Sequence, residues 1–507
     1  MKLKYNFLLL VFFLSANSVF AQYAEDALRF SETEQGATAR LRALGSAQNA
    51  LGGDISSLSG NPAGLGFFTR SDISLTTDFT NSKVRGLYLG ASTDTQKDKL
   101  GLTYLGAVWH RTVRKPKGAD LNSGWLGFNF GLSYNKTNNF NSTVEYGGNN
   151  PTNSYADYLA DISDPYLKNG DQKALPAGSL QDMAYQSFLI EYDPAGYFPT
   201  TELNSSQRNS TFHSGSQSEV NLAFGGNYSN KLYVGASLGL SSINYNADRE
   251  FNEGGNNRTF TGQDPWFING KYSLSYLSSQ VTEGAGLNLK AGLIYRPVSN
   301  VRLGFNFLSP TWYSIDDSFA ETIETRYRKA DGTTIEPYTF DDDVFNYSYR
   351  LRTPYKLNGG LAIISGAGLI TGDVEYVDYS TMHFSSDNSE DNRNINQDIR
   401  NNYDDALNFR VGGELKLSSV YLRAGFNSVG NPYLNAKATR NIYSAGLGYR
   451  INNFYIDGTY SNTTFKYSAS PYKISSDYPD YSKTGAGETA TIKNQMGRVF
   501  LTVGTRF

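Results

Sequence analysis

The 507-residue chain has no cysteine, which excludes a disulfide scaffold, thiol catalysis and thiolate metal sites. It also excludes a lipid anchor on a cysteine behind a leader peptide. Histidine occurs three times, at His110, His213 and His383; none has a partner at metal-ligand spacing or a G-x-S-x-G motif beside it. Beyond the first residues no apolar run approaches about twenty residues, so membrane-spanning helices are excluded. Neither charge sign dominates, with 45 basic against 48 acidic residues, and so mild an acidic balance argues against nucleic acid as a partner. The composition therefore predicts neither an enzyme nor a cofactor.

What is present begins with a leader. Lys2 and Lys4 precede the apolar stretch Phe7–Leu14, and "SVFA" ends on the small Ala21. This reads as a secretory signal peptide, residues 1–21, cleaved before Gln22. The 37 tyrosines and 30 phenylalanines suit rings placed at a membrane–water boundary.

From about residue 71 one pattern repeats: some ten residues of alternating polarity, then a polar break. In "WLGFNFGLSYN", Leu126, Phe128, Phe130, Leu132 and Tyr134 share one face, and Asn129, Ser133 and Asn135 lie on the other. Alternation alone fits a soluble sandwich or a membrane barrel. The connections separate the two. Tight links at Ser229–Asn230, Pro297–Asn300, Gly366–Gly368, Ser418–Ser419 and Asn452–Asn453 alternate with long polar stretches near 137–216, 246–283, 314–354, 383–405, 431–440 and 467–492. Short turns at one end and long loops at the other are the asymmetry of an outer-membrane barrel. Counting back from the C-terminal strand gives thirteen strands. Segments 71–80 and 83–92, merged into one, make fourteen; taken as two strands they would shift another assignment, and sixteen remains the other even count. The final "VFLTVGTRF" ends an alternating strand on an aromatic, which resembles the assembly signature of outer-membrane barrels in Gram-negative bacteria.

The expected fold is therefore all-β: a transmembrane antiparallel β-barrel of fourteen strands over 71–507. A barrel that wide cannot fill its lumen with its own side chains. Residues 22–70 read as helix and turn, rich in Ala, Gly and Ser, and suit a helical hatch (plug) packed inside it. Inward polar positions, among them Lys290, Arg302, Glu375, Arg410, Glu414, Lys416 and Arg423, read as pairs that tie barrel and plug together.

Within 137–216, Tyr155, Tyr158, Leu159 and Ile162 fall at helical spacing. Ser179 with Asp182 forms a cap signal before a second stripe of Leu180, Met183, Ala184 and Phe188. These stripes are either an outer dock for a hydrophobic ligand (Tyr155, Tyr158, Leu159, Ile162, Met183 and Phe188) or two loop helices folded over the barrel mouth. The acidic runs Asp341–Asp343 and 385–394 carry oxygen ligands but neither the spacing nor the glycine of a calcium loop, so they read as solvated loops, and no metal site is expected.

"SLSGNPAGLGFF" (Ser57–Phe68) links the plug to strand one. Its "NPAGL" resembles the FadL/TodX family of outer-membrane long-chain fatty acid transporters. Two further blocks look like the family's pattern: "EGAGLNLKAGLIYRPVSNVRLGFNFLSPTWYSI" (Glu283–Ile315), and "LRTPYKLNGGLAI" followed by "GDVEYVDYS" (Leu351–Ser380). The resemblance covers most of the chain and implies a fourteen-stranded barrel with a hatch, taking up hydrophobic molecules passively. It further implies that ligand lodges in the extracellular loops, passes beside the hatch and leaves through a gap in the barrel wall near the hatch motif, Asn61, Pro62, Ala63 and Gly64. The chain departs from the family in having only four methionines and longer outer loops. The expected partners are a hydrophobic small molecule and outer-membrane lipid. The alternative function is a non-transporting barrel of this kind acting as an interaction or secretion-assembly partner.

Overall fold

The computed structural model describes residues 17–118, 120–168, 171–172, 175–258, 270–335, 337–341, 344–434, 439–476, 478 and 484–507. The apolar run of the leader and two of the three aspartates at 341–343 lie outside these. Helix α1 (Asn17–Ser31) crosses the expected cleavage point before Gln22.

Fourteen antiparallel strands close into one barrel. The first six are β1 (Asp72–Tyr88), β2 (Ala91–Thr112), β3 (Trp125–Asn139), β4 (Ser205–Tyr228), β5 (Leu232–Asn256) and β6 (Gly270–Val298). The next three are interrupted: β7 (Val301–Leu308, Trp312–Lys329), β8 (Phe345–Arg352, Lys356–Ser365) and β9 (Gly368–Asp378, His383–Ser385). The last five are β10 (Asp405–Leu417), β11 (Val420–Val429), β12 (Arg440–Ile451), β13 (Phe454–Ala469) and β14 (Ala490–Arg506). β14 pairs with β1 from Asp72↔Arg506 to Leu87↔Thr491, which closes the sheet and leaves no edge.

Outward positions are aliphatic and aromatic, as at Leu240, Phe305 and Ile370. Most inward positions are buried and are small, polar or aromatic, as at Gly225, Asn129 and Tyr233. An apolar belt turned outward around a closed barrel is a lipid-facing surface. Rings crowd its lower rim, where Trp125 meets Tyr228 edge-on at 5.4 Å. No helix among the described residues is long and apolar enough to cross a membrane; the chain crosses with strands. The lower turns are tight, and Ser229 and Asn230 both take positive φ (55° and 56°), the twist that a two-residue hairpin turn requires.

The boundaries of the outer loops differ from expectation. The first strand ends at Tyr88 and turns at Leu89–Gly90, not near residue 92. β4 to β7 run far into stretches read as loop, and a strand at Ser142–Asn150 extends the ladder beside β4. Above the bilayer the outer face of a strand meets water rather than lipid, so it loses the apolar residues by which alternation is recognised. The stretch 383–405 likewise holds a helix. Helices α2 (Ala39–Ala43), α3 (Tyr155–Ser163), α4 (Leu180–Gln186) and α5 (Ser389–Asn402) complete the elements that matter below.

Candidate functional site

Residues 32–70 lie in the lower lumen against the inner wall. Thr38 caps α2, and two 3-10 turns follow, Ile55–Leu58 behind the cap Asp54 and Pro62–Phe67 behind the cap Asn61. Asn61 does three things at once. Its Oδ1 accepts from the Ala63 N–H at 3.1 Å. Its Nδ2 donates to the Asn49 carbonyl at 2.7 Å and to the Phe305 carbonyl of β7 at 3.2 Å. Pro62 presets the backbone at the first turn position, where its missing N–H costs nothing. Asn61, Pro62, Ala63 and Gly64 are all buried.

The wall makes room for this segment. Six inward positions, Gly225, Gly235, Gly292, Gly304, Gly412 and Gly425, stand where a Cβ would strike the backbone or side chains of residues 43–66. Glycine here supplies close approach between two backbones. Side chains then fasten what the glycines admit. Asp373 of β9 accepts from the Gln48 and Asn49 N–H groups at 2.6 and 3.0 Å. Ser237 donates to the Leu58 carbonyl at 3.1 Å, and Lys290 to the Ser59 carbonyl at 2.9 Å. Arg40 pairs with Glu414 at 3.0 Å, Glu414 with Arg423 at 2.6 Å, and Arg423 with Asp457 at 2.7 Å. Glu34 pairs with Arg498 at 2.6 Å and Arg42 at 3.1 Å. Burial pushes the Glu34 carboxyl up, but the two guanidiniums more than offset it and hold it well below the usual range. Of the inward polar positions read from sequence, only Lys416 stands exposed.

Among the described residues, chambers remain beside the segment. One of about 60 Å³ reaches Thr311, Thr353, Pro354 and Lys356. A larger one of about 440 Å³ lies between residues 25–46 and strands β9 to β14, where Arg410, Glu375, Tyr379 and Phe465 contribute to its lining. Both are lined by polar and apolar groups together.

Beside Asn61–Gly64 the wall is continuous: Asn129 pairs with Gly225, Gly225 with Gly235, and Gly235 with Gly292. Among the described residues the ladder beside that motif shows no gap of the kind expected there. The ladder lapses elsewhere, where Pro310, Pro354 and the turn Tyr379–Thr381 interrupt β7, β8 and β9 at one height. Between β7 and β8 it is stitched, with Thr353 N–H donating to the Thr311 carbonyl at 3.0 Å and Thr311 N–H to the Thr353 Oγ1 at 2.8 Å. Between β8 and β9 pairing stops at Lys356↔Val377 and resumes at Arg352↔His383, so residues 353–355 face 378–382 unpaired. Lys356 and Tyr379 at the edges of this lapse also line the larger chamber.

The outer loops build a second layer. Ser154 and Asp157 form a capping box on α3, and the Ser179 Oγ accepts from the Asp182 N–H at 3.2 Å to cap α4. The residues read as a dock are gathered, but not open. Tyr155, Leu159 and Met183 are buried in a cluster with Phe251, Tyr272 and Tyr276 from the outer ends of β5 and β6, while Tyr158, Ile162 and Phe188 pack partly buried against it. Tyr155 lies 5.0 Å from the Phe251 ring and 5.4 Å from that of Tyr276. α1 makes a neighbouring cluster, with Tyr23, Leu28 and Phe30 against Phe384 and Ile399 of α5.

The histidines stay scattered. His110 meets Asn129 at 2.8 Å and His213 meets Tyr245 at 2.9 Å. Among the described residues no three His, Asp or Glu gather as metal ligands do. Residues missed from the sequence are the acids Asp373 and Asp457, the cations Arg42 and Arg498, and the glycine row. The available signal was glycine recurring at inward parity on successive strands.

The fold is that of the FadL/TodX type. The Pseudomonas putida toluene transporter TodX superposes with a TM-score of 0.51 at 16% identity, covering 94% of this chain and 99% of that one. A Pseudomonas aeruginosa FadL homologue gives 0.54 at 13% identity, over 94% and 98%. No protein-family model and no curated protein matches this chain.

Proposed function

We propose that the chain is an outer-membrane channel, and not an enzyme, for passive uptake of small hydrophobic molecules. The observation that carries this reading is a lumen chamber of about 440 Å³ abutting a lapse in the wall of a FadL/TodX-type barrel. A toluene transporter among its structural neighbours supports cargo of that kind. In this reading ligand is captured by the outer layer at Tyr155, Tyr158, Leu159, Ile162, Met183 and Phe188. It passes the hatch formed by residues 22–70, whose Asn61–Gly64 motif pins it to the wall. It leaves into the bilayer between residues 353–355 and 378–382. A hydrophobic fluorescent dye, 1-N-phenylnaphthylamine, should enter cells bearing the chain several-fold faster than cells lacking it. Equal rates would sink the reading.

One observation favours a non-transporting barrel that serves a protein partner: Tyr155, Leu159 and Met183 are buried in the aromatic cluster, and the other three dock residues are partly buried against it. That alternative expects a protein that co-purifies with the intact chain and is lost when residues 151–200 are deleted, with no change on Asn61→Ala.

A further inference from the structure

The outside of the wall carries a charge pattern that the lumen does not explain. On β13, β14 and β1 the apolar side chains turned toward lipid run up to Tyr460, Val499 and Phe79, all exposed. Four to six residues further up, Lys466, Lys493, Lys83 and Arg85 keep the same outward parity and are exposed. At about 3.3 Å per residue on strands tilted about 40°, they stand roughly 10–15 Å above the last apolar side chains. On the long-loop side of the barrel, that is the level of the outer leaflet's headgroups.

These cations are neighbours across the ladder. Lys466 lies directly opposite Lys493, and Lys493 directly opposite Arg85. Lys83 is the next outward position below Arg85, opposite Gln495. Like charges set opposite one another destabilise a sheet, and the nearby acids are engaged. Asp94 is held by the Arg85 fork at 2.6 and 2.8 Å, and Asp98 accepts from Asn81 and Gln96. Among the described residues, Lys83, Lys466 and Lys493 have neither an ion pair nor a hydrogen bond. Lysines on a sheet edge guard against stray pairing, but this barrel closes and has no edge. Strands lie about 4.8 Å apart, so the row from Lys466 to Arg85 spans roughly 10 Å, wider than one phosphate group.

We infer that this face binds a lipid of the outer leaflet whose head carries at least two phosphates. The phosphates rest on Lys466, Lys493 and Lys83, and the acyl chains run down along Tyr460, Val499 and Phe79. Lysine meets phosphate as a compact point charge. Arg85, its fork shared with Asp94, adds charge to the row. The apolar column directly beneath the cations ties the site to a lipid rather than to free phosphate. The site lies outside the wall and is independent of whether the lumen transports.

Native mass spectrometry of the full chain folded in detergent makes the test, with bisphosphorylated lipid A, phosphatidylglycerol and phosphatidylcholine as probes. The bisphosphorylated lipid should bind at least about ten-fold more tightly than phosphatidylglycerol, and phosphatidylcholine more weakly still. Rising salt should narrow the difference, and equimolar inorganic phosphate should not displace the lipid. Replacing both Lys466→Gln and Lys493→Gln should remove most of the preference. Lys466→Glu should remove it too, while the opposite charge it sets across from Lys493 keeps or raises the barrel's thermal midpoint. Equal binding of the three lipids, displacement by inorganic phosphate, or an unchanged preference in the folded Lys466→Glu chain would each overturn the assignment.

Discussion

In the lower lumen Arg423 has no exposed side-chain surface and lies between Glu414 and Asp457; in the outer layer Tyr155 lies among Phe251, Tyr276 and Tyr472. Both regions close the barrel, one with directional charge pairs and backbone contact, the other with ring stacking. Charge pairs buried on two sides fail sharply when one partner leaves, because the other is stranded. Aromatic clusters lose area gradually and can repack. The lower segment is thus built to stay, and the outer layer is the part that can open.

Arg423→Ala tests the first half of that contrast with the largest expected effect. It removes one cation from a chain of five ionised groups, and although Arg40 and Arg450 remain beside the two acids, breaking such a pair costs about 3–5 kcal/mol. Urea unfolding in lipid vesicles should report it; a loss under about 1 kcal/mol would mean that water already screens the pair. Gly235→Val should follow, at about 1–3 kcal/mol. A Cβ there meets the Pro62 backbone and comes within 2.6 Å of the Ala63 nitrogen, so the segment must shift. Unchanged stability would show that the segment yields easily.

Leu159→Ala should leave the barrel's unfolding midpoint unchanged while exposing 151–200 to protease faster. Leu159 is fully buried, but within the loop layer, whose opening need not be coupled to the barrel. A shift of the whole unfolding curve would erase the distinction between the two regions.

The same contrast explains what could be read from sequence. The membrane-level strands were legible because lipid outside and a polar lumen inside impose opposite chemistry on alternate residues. The α3 and α4 stripes were legible because each buries one face. Strand above the bilayer was not, since water wets its outer face. The wall's lapse was hidden for a different reason. Pro310 and Pro354 each signal only a local break in pairing, and only the register aligns those breaks with Tyr379. The motif Asn61–Gly64 was conspicuous, but its spacing carries no information about which strands it meets.

Proton uptake gives the smallest and most local effect. Asp164 follows α3, and its Oδ1 accepts from the Tyr197 N–H at 2.7 Å. Burial pushes its carboxyl up to about 6, with Asp161 adding to the shift and the Tyr197 bond opposing it. In an opened layer the group returns toward the ordinary value of about 3.9. Between these two values the closed layer holds more protons than the open one, so closure weakens as pH rises through that window and is level above it. Amide exchange in 155–200 should therefore quicken, beyond its intrinsic pH dependence, by about two- to ten-fold from pH 4.5 to 7. Asp164→Asn should abolish that excess without touching exchange in β10 to β14. If the excess persists in the variant, another group controls the layer. If it spreads to those strands, the outer layer and the lower lumen open as one body, and the contrast between them fails.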